Sequence, residues 1–149
     1  MPIWPRFMPT MNLETIFLDT SGFIAILNSH ENTHAAACKL WEEWNTDAIP
    51  LCTSNYIVIE TTAVIQHRLG MQAANVFHSY VLAPVHVAWI SEALHEAAVR
   101  DLIMFNRRQL SLVDCTSFTL MRALGLRSVF TFDPHFAEQG FTCYPELSP

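Results

Sequence analysis

From Thr15 to Tyr144, short runs of β-forming residues alternate with longer stretches of helical periodicity, and this alternation constrains the fold more than any other feature. Parallel strands need a crossover between them, usually a helix, so the pattern predicts an α/β layer fold with a mainly parallel central sheet and helices on both faces. Strands are read at 15–19 (TIFLD), 51–53 (LCT), 84–90 (PVHVAWI), 128–133 (SVFTFD) and 140–144 (GFTCY). Helices are read at 21–28, 33–45, 71–83, 91–106 and 111–125, the last closed by Gly125. The segment TSNYIVIETTAVIQHRLG is rich in β-branched residues, yet its Ser54 or Asn55 cap, its terminal Gly70 and its length favour a helix, since a strand that long is unusual.

A hydrophobic content of 51% over 149 residues is enough for one sizeable core, so one domain is expected over 14–149. Residues 1–13 hold three prolines and no continuous apolar segment. They read as a loose extension rather than a signal peptide or anchor, with Met11 as an alternative start. Cys38, Cys52, Cys115 and Cys143 lack CxxC spacing and sit in apolar contexts, which predicts reduced thiols and a cytoplasmic protein. The net charge of −6 excludes binding to nucleic acid through a broad basic surface, because that mode neutralises many phosphates. Any such contact must be local. Lys39 is the only lysine, and the Arg107–Arg108 and Arg122–Arg127 pairs are candidate phosphate ligands, exposed solubilising charge being the plainer reading of each.

Within so charge-poor a chain, four acids follow apolar runs: Asp19 after IFL, Glu60 after IVI, Asp114 after SLV and Asp133 after VFTF. Asp19 and Asp133 fall at the carboxyl ends of predicted strands, where open parallel sheets collect their ligands. Glu60 lies one or two turns into its helix and Asp114 near a helix start. Alone, each reads as a cap, a turn residue or a surface charge. Together they read as a site, and carboxylates converging on one point repel unless a divalent cation neutralises them. Oxygen ligands suit Mg²⁺ or Mn²⁺. An ion so held makes water a usable nucleophile and stabilises charge growing on a phosphate, the chemistry of phosphodiester hydrolysis by in-line attack.

Four pieces, FLDTSGFIA, TSNYIVIETTAVIQHRLG, LSLVDCTSF and FTFDPHFAEQGF, occur in the order and at about the spacing of the PIN-domain ribonucleases. Beyond the N-terminal extension the chain resembles that family nearly throughout, and especially the toxin members of VapBC-type toxin–antitoxin pairs. The resemblance implies a parallel sheet flanked by helices, with Asp19, Glu60, Asp114 and Asp133 as the acidic Mg²⁺ or Mn²⁺ site and Glu60 on a helix. It implies endoribonuclease action on single-stranded or loop RNA, leaving a 5′-phosphate and a 3′-hydroxyl. It also implies a homodimer and a small antitoxin that blocks the site. Members often carry a hydroxyl beside the first and third acids; Thr20 and Ser117 occupy those neighbourhoods here, with Ser21 and Thr116.

Two other readings compete with this one. A phosphotransfer domain of receiver or haloacid-dehalogenase type also sets an Asp at a strand end, but it wants a second adjacent acid and a lysine near the phosphate, whereas Thr20 and Ser21 follow Asp19 and Lys39 sits in an amphipathic helix. A non-catalytic PIN-like module binding RNA or protein would keep the fold; the intact acid quartet speaks against it. Arg122 is a candidate for steering phosphate. His135, two residues after Asp133, reads as a packing or hydrogen-bonding residue, and Trp41, Trp44 and Trp89 read as core.

Overall fold

The computed structural model describes residues 11–146, so the expected loose extension falls outside the described residues except for its last three positions. Of these, Met11 packs partly against the core, and the Asn12 side chain accepts a hydrogen bond from the Glu14 backbone at 2.9 Å.

Ile16, Phe17 and Leu18 are buried on both sides and form β1 (Ile16–Leu18) in the middle of a five-stranded sheet. Strands buried on both faces read as continuous apolar runs, which is why three residues suffice to define it. On one flank lie β2 (Leu51–Ser54) and then β3 (Val85–Ala88); on the other, β4 (Ser128–Phe130) and then β5 (Thr142–Tyr144). All four pairings are parallel, Phe17 standing level with Cys52 and with Val129. The α/β layer architecture read from the sequence is the observed one.

Between β1 and β2 run α1 (Thr20–Leu27) and α2 (His34–Thr46); between β2 and β3, α3 (Asn55–Arg68) and α4 (Met71–Val76); between β3 and β4, α5 (Glu92–Phe105) and α6 (Leu112–Leu124); and α7 (His135–Glu138) precedes β5. The winding runs outward from β1 to β3, then jumps back across the sheet to β4. With right-handed crossovers this reversal puts α1 to α4 on one face and α5 to α7 on the other. Helix α1 packs on α2 and α3, and α5 packs on α6. The reversal also makes the gap between the carboxyl ends of β1 and β4 a topological switch point.

Gly22 lets α1 cross that gap closely. A Cβ there would stand 2.6 Å from Phe130 Cδ1 and 2.9 Å from the Phe130 carbonyl oxygen. Below it the core is aromatic: Phe23 meets Phe77 edge-on with centroids 5.0 Å apart, and Trp44 meets Phe130 at 5.2 Å.

Several elements differ from the sequence reading. The strand read at 128–133 ends at Phe130, because hydroxyls take over the role of the ladder: the Phe132 N–H donates to Ser21 Oγ at 2.9 Å and the Asp133 N–H to Thr131 Oγ1 at 3.0 Å. The helix read at 71–83 is α4 followed by a π-helical turn over Phe77–Val81, where the Leu82 N–H reaches the Phe77 carbonyl at 2.9 Å. Thr33 precedes α2 but its side chain caps nothing, and the buried stripe of α2 includes Ala37 and Trp44 rather than Ala36. Trp89, read as core, is 70% exposed just past β3. All four cysteines are free thiols.

Candidate active site

Asp19 occupies the first position after β1, where the chain turns into α1 with φ −93° and ψ 161°. Its carboxylate does not cap the helix. Instead Oδ2 accepts hydrogen bonds from Ser21 Oγ at 2.8 Å and from Thr131 Oγ1 at 2.9 Å, joining α1 to the segment after β4. Burial pushes its pKa up to about 6; the hydroxyl donors of Ser21 and Thr131 pull it down, and the charge of Asp114 adds to the rise.

Asp114 reaches the site from the first turn of α6. Ser111 caps that helix, its Oγ accepting the Asp114 N–H at 3.0 Å while Asp114 Oδ2 accepts the Ser111 N–H at 2.8 Å. This reciprocal box fixes the carboxylate and leaves Oδ1 without a protein donor among the described residues. Burial is again the main cause of a raised pKa, the charge of Asp133 raising it further and the Ser111 bonds opposing. Asp114 is thus the third residue of a capping box rather than the cap its position suggested.

Asp133 is held by the turn after β4. Thr131 Oγ1 accepts its backbone N–H, and its Oδ1 accepts the His135 N–H at 2.9 Å. Ligand atoms of Asp114, Asp133 and His135 all lie within 4.8 Å of one another. Glu60, in the second turn of α3, accepts a hydrogen bond from Thr20 Oγ1 at 2.6 Å, and Thr61 Oγ1 donates to that same threonine oxygen at 3.1 Å. The residue next to Asp19 therefore ties Glu60 to the site, and Thr131 ties Asp19 to Asp133. Ser117, one turn after Asp114, is wholly buried and its Oγ has no partner among the described residues.

Of the expected residues, Asp114 and Asp133 are brought together with His135. Asp19 feels the charge of Asp114 and shares Thr131 with Asp133, and Glu60 is linked through Thr20. Neither Asp19 nor Glu60 belongs to the set of ligand atoms within 4.8 Å, while Ser117 stands on α6 one turn after Asp114. Arg122 is engaged elsewhere: its Nη2 donates to Gln139 Oε1 at 2.8 Å and its guanidinium stacks over Phe141 at 5.3 Å, which leaves it a structural strut. Arg107 pairs with Glu138 at 2.7 Å. Thr131 was not singled out in the sequence, where the hydroxyl two residues before the acid in TFD was the available signal; His135, read as a packing or hydrogen-bonding residue, stands beside Asp133. A cleft of about 350 Å³ opens beside Thr20, Ser21 and Phe132, and Arg68 is the cation in its lining.

The PIN domain family profile matches residues 16–141. The chain belongs to the PIN domain family. Within it, the chain is 33% identical over 127 residues to the 23S rRNA-specific endonuclease VapC20 of Mycobacterium tuberculosis, covering 85% of this chain and 95% of that one. It is a VapC-type homologue. The crystal structure of M. tuberculosis VapC20, described as a sarcin-ricin loop cleaving toxin, superposes with a TM-score of 0.76 at 31% identity, covering 90% of this chain and 99% of that one. The DNA-bound VapBC of Salmonella typhimurium shares this PIN fold with a TM-score of 0.64 at 14% identity, over 89% of this chain and 97% of that one. Among the described residues no helix is long and apolar enough to cross a membrane.

Proposed function

We propose that this PIN-domain protein is a metal-dependent endoribonuclease, the toxin of a toxin–antitoxin pair, and that Asp19, Glu60, Asp114 and Asp133 hold the Mg²⁺ or Mn²⁺ it uses. What supports this reading is that Asp114 and Asp133 have ligand atoms within 4.8 Å of each other, while Asp19, from a third segment, feels the charge of Asp114 and shares the Thr131 hydroxyl with the Asp133 backbone. Burial and mutual repulsion raise the pKa of both Asp19 and Asp114. Such an arrangement is unfavourable by itself and becomes favourable around a divalent cation. The donors fit that cation: carboxylate oxygens with hard-ion chemistry, and a buried Ser117 hydroxyl without a protein partner among the described residues.

When bound, the ion increases the acidity of water and offsets charge growing on the phosphate. The chain does the positioning. Ser21 and Thr131 fix the Asp19 carboxylate, Ser111 fixes that of Asp114, and Thr20 holds Glu60, so the acids are preorganised by hydroxyl and backbone donors rather than by loops. The outcome is hydrolysis of an RNA phosphodiester to a 5′-phosphate and a 3′-hydroxyl. Arg68, in the cleft beside Thr20, is the cation placed to meet a phosphate of the bound strand. The activity named for VapC20 makes 23S rRNA, and its sarcin-ricin loop, the first substrate to test.

Exposed apolar side chains on α3, α4 and the π-helical turn, Ile59, Met71 and Tyr80, support a homodimer and a small antitoxin partner. Sequencing RNA ends after expression of the wild type and of Asp19→Asn tests the reading. New 5′-phosphate ends at a defined site, present only with the wild type, are expected; identical end profiles contradict it.

A further inference from the structure

We infer that His135 is itself a ligand of the ion shared by Asp114 and Asp133, so that the centre favours a first-row transition ion such as Mn²⁺ over Mg²⁺. This rests on the nuclease reading above and names the cation that reading leaves open. His135 opens the short helix α7, and its side chain stands with the two carboxylates in a set whose ligand atoms are mutually within 4.8 Å.

The decisive geometry is between His135 and Asp133. Nδ1 lies 2.8 Å from Asp133 Oδ1, close enough for an ion pair if the ring is protonated, yet this buried nitrogen makes no aligned hydrogen bond among the described residues. The same oxygen already accepts the backbone N–H of His135 at 2.9 Å. A histidine serving only to orient Asp133 would aim its N–H at the carboxylate. Buried ring nitrogens without a partner are rare, and an ion is one of the few things that satisfies them. Two donors on adjacent corners of an octahedral ion with bonds of about 2.1 Å stand about 3 Å apart, each aimed at the ion and neither at the other. The 2.8 Å separation of His135 Nδ1 and Asp133 Oδ1 matches that spacing.

One imidazole nitrogen beside carboxylates shifts preference along the divalent series. Mg²⁺ takes oxygen almost exclusively, whereas first-row transition ions accept imidazole readily, and Mn²⁺ is the member most tolerant of accompanying carboxylates. Ser117, buried one turn below Asp114, adds a further oxygen on the same helix.

The test is pulsed electron paramagnetic resonance on the full chain loaded with less than one equivalent of Mn²⁺. A directly coordinated imidazole nitrogen modulates the electron spin echo, and labelling histidine with ¹⁵N changes the modulation without altering the protein. The expected result is nitrogen modulation in the wild type that moves on labelling and disappears in His135→Gln. That variant should bind Mn²⁺ about tenfold more weakly with little change for Mg²⁺. Bound Mn²⁺ that depends on Asp114 but shows no nitrogen coupling, or coupling that survives in His135→Gln, overturns the inference and leaves the nuclease reading standing. Absence of any Mn²⁺ bound through Asp114 overturns both.

Discussion

Asp19 carries an unusual burden for a carboxylate: it is 6% exposed, and both of its hydroxyl donors converge on one oxygen. Its pKa of about 6 in the folded protein, against 3.8 for the unexceptional group, means that the folded state binds its proton more tightly than the unfolded state does. Without metal, this group's stabilising contribution is complete below about pH 4 and is lost as pH rises through about 6. The loss is on the order of 3 kcal/mol at neutral pH, taking about 1.4 kcal/mol for each pKa unit. Urea unfolding in a chelator at pH 7 should therefore find Asp19→Asn at least as stable as the wild type, and at pH 4 the advantage should vanish. A variant that is clearly less stable at pH 7 would show that the charged carboxylate is already paired. The acids were legible in the sequence because each ends an apolar run in a chain only 15% charged. Thr131 was not, since its hydroxyl acts on a carboxylate 112 residues away and its place two residues before Asp133 is the one local hint of that role.

At the scale of elements, the same hydroxyls that orient the acids decide where secondary structure stops. β4 ends at Phe130 because Ser21 and Thr131 supply acceptors for the next backbone N–H groups, a trade that sequence periodicity does not register. Helix α3 was legible despite its β-branched residues, for Ser54 caps it as read, its Oγ accepting the Ile57 N–H at 3.1 Å. The π-helical turn at Phe77–Val81 was not, because it continues the apolar spacing of α4 while shifting the hydrogen bonds by one residue. The crossing of α1 over β4 depends on Gly22, whose Cβ substitute would press on the backbone oxygen of Phe130 as well as its ring. Gly22→Ala should cost about 1–3 kcal/mol by overpacking, read as a lowered urea midpoint with unchanged slope. A midpoint equal to the wild type would mean that α1 has room to lift away.

For the molecule as a whole, the parallel sheet with its winding reversal would let residues from four distant segments serve one site, the arrangement the proposed nuclease of net charge −6 would need to act on a polyanion. Local cations, Arg68 and the bound ion, would replace the broad basic surface that the composition excludes. The alternation of strands and helices made the layer fold legible, and the parallel order followed from the length of the connections. Strand order did not, because β1 pairs with β2 and β4 by contacts that no local pattern encodes. The central claim is that Asp19, Glu60, Asp114 and Asp133 form one binding centre for a divalent ion. Calorimetric titration of the metal-free protein with Mn²⁺ at neutral pH, for the wild type, Asp19→Asn and Asp114→Asn, measures this directly. Saturable binding in the wild type that each substitution weakens by about tenfold or more is expected; equal binding in all three, or none in the wild type, would mean that these acids do not share an ion.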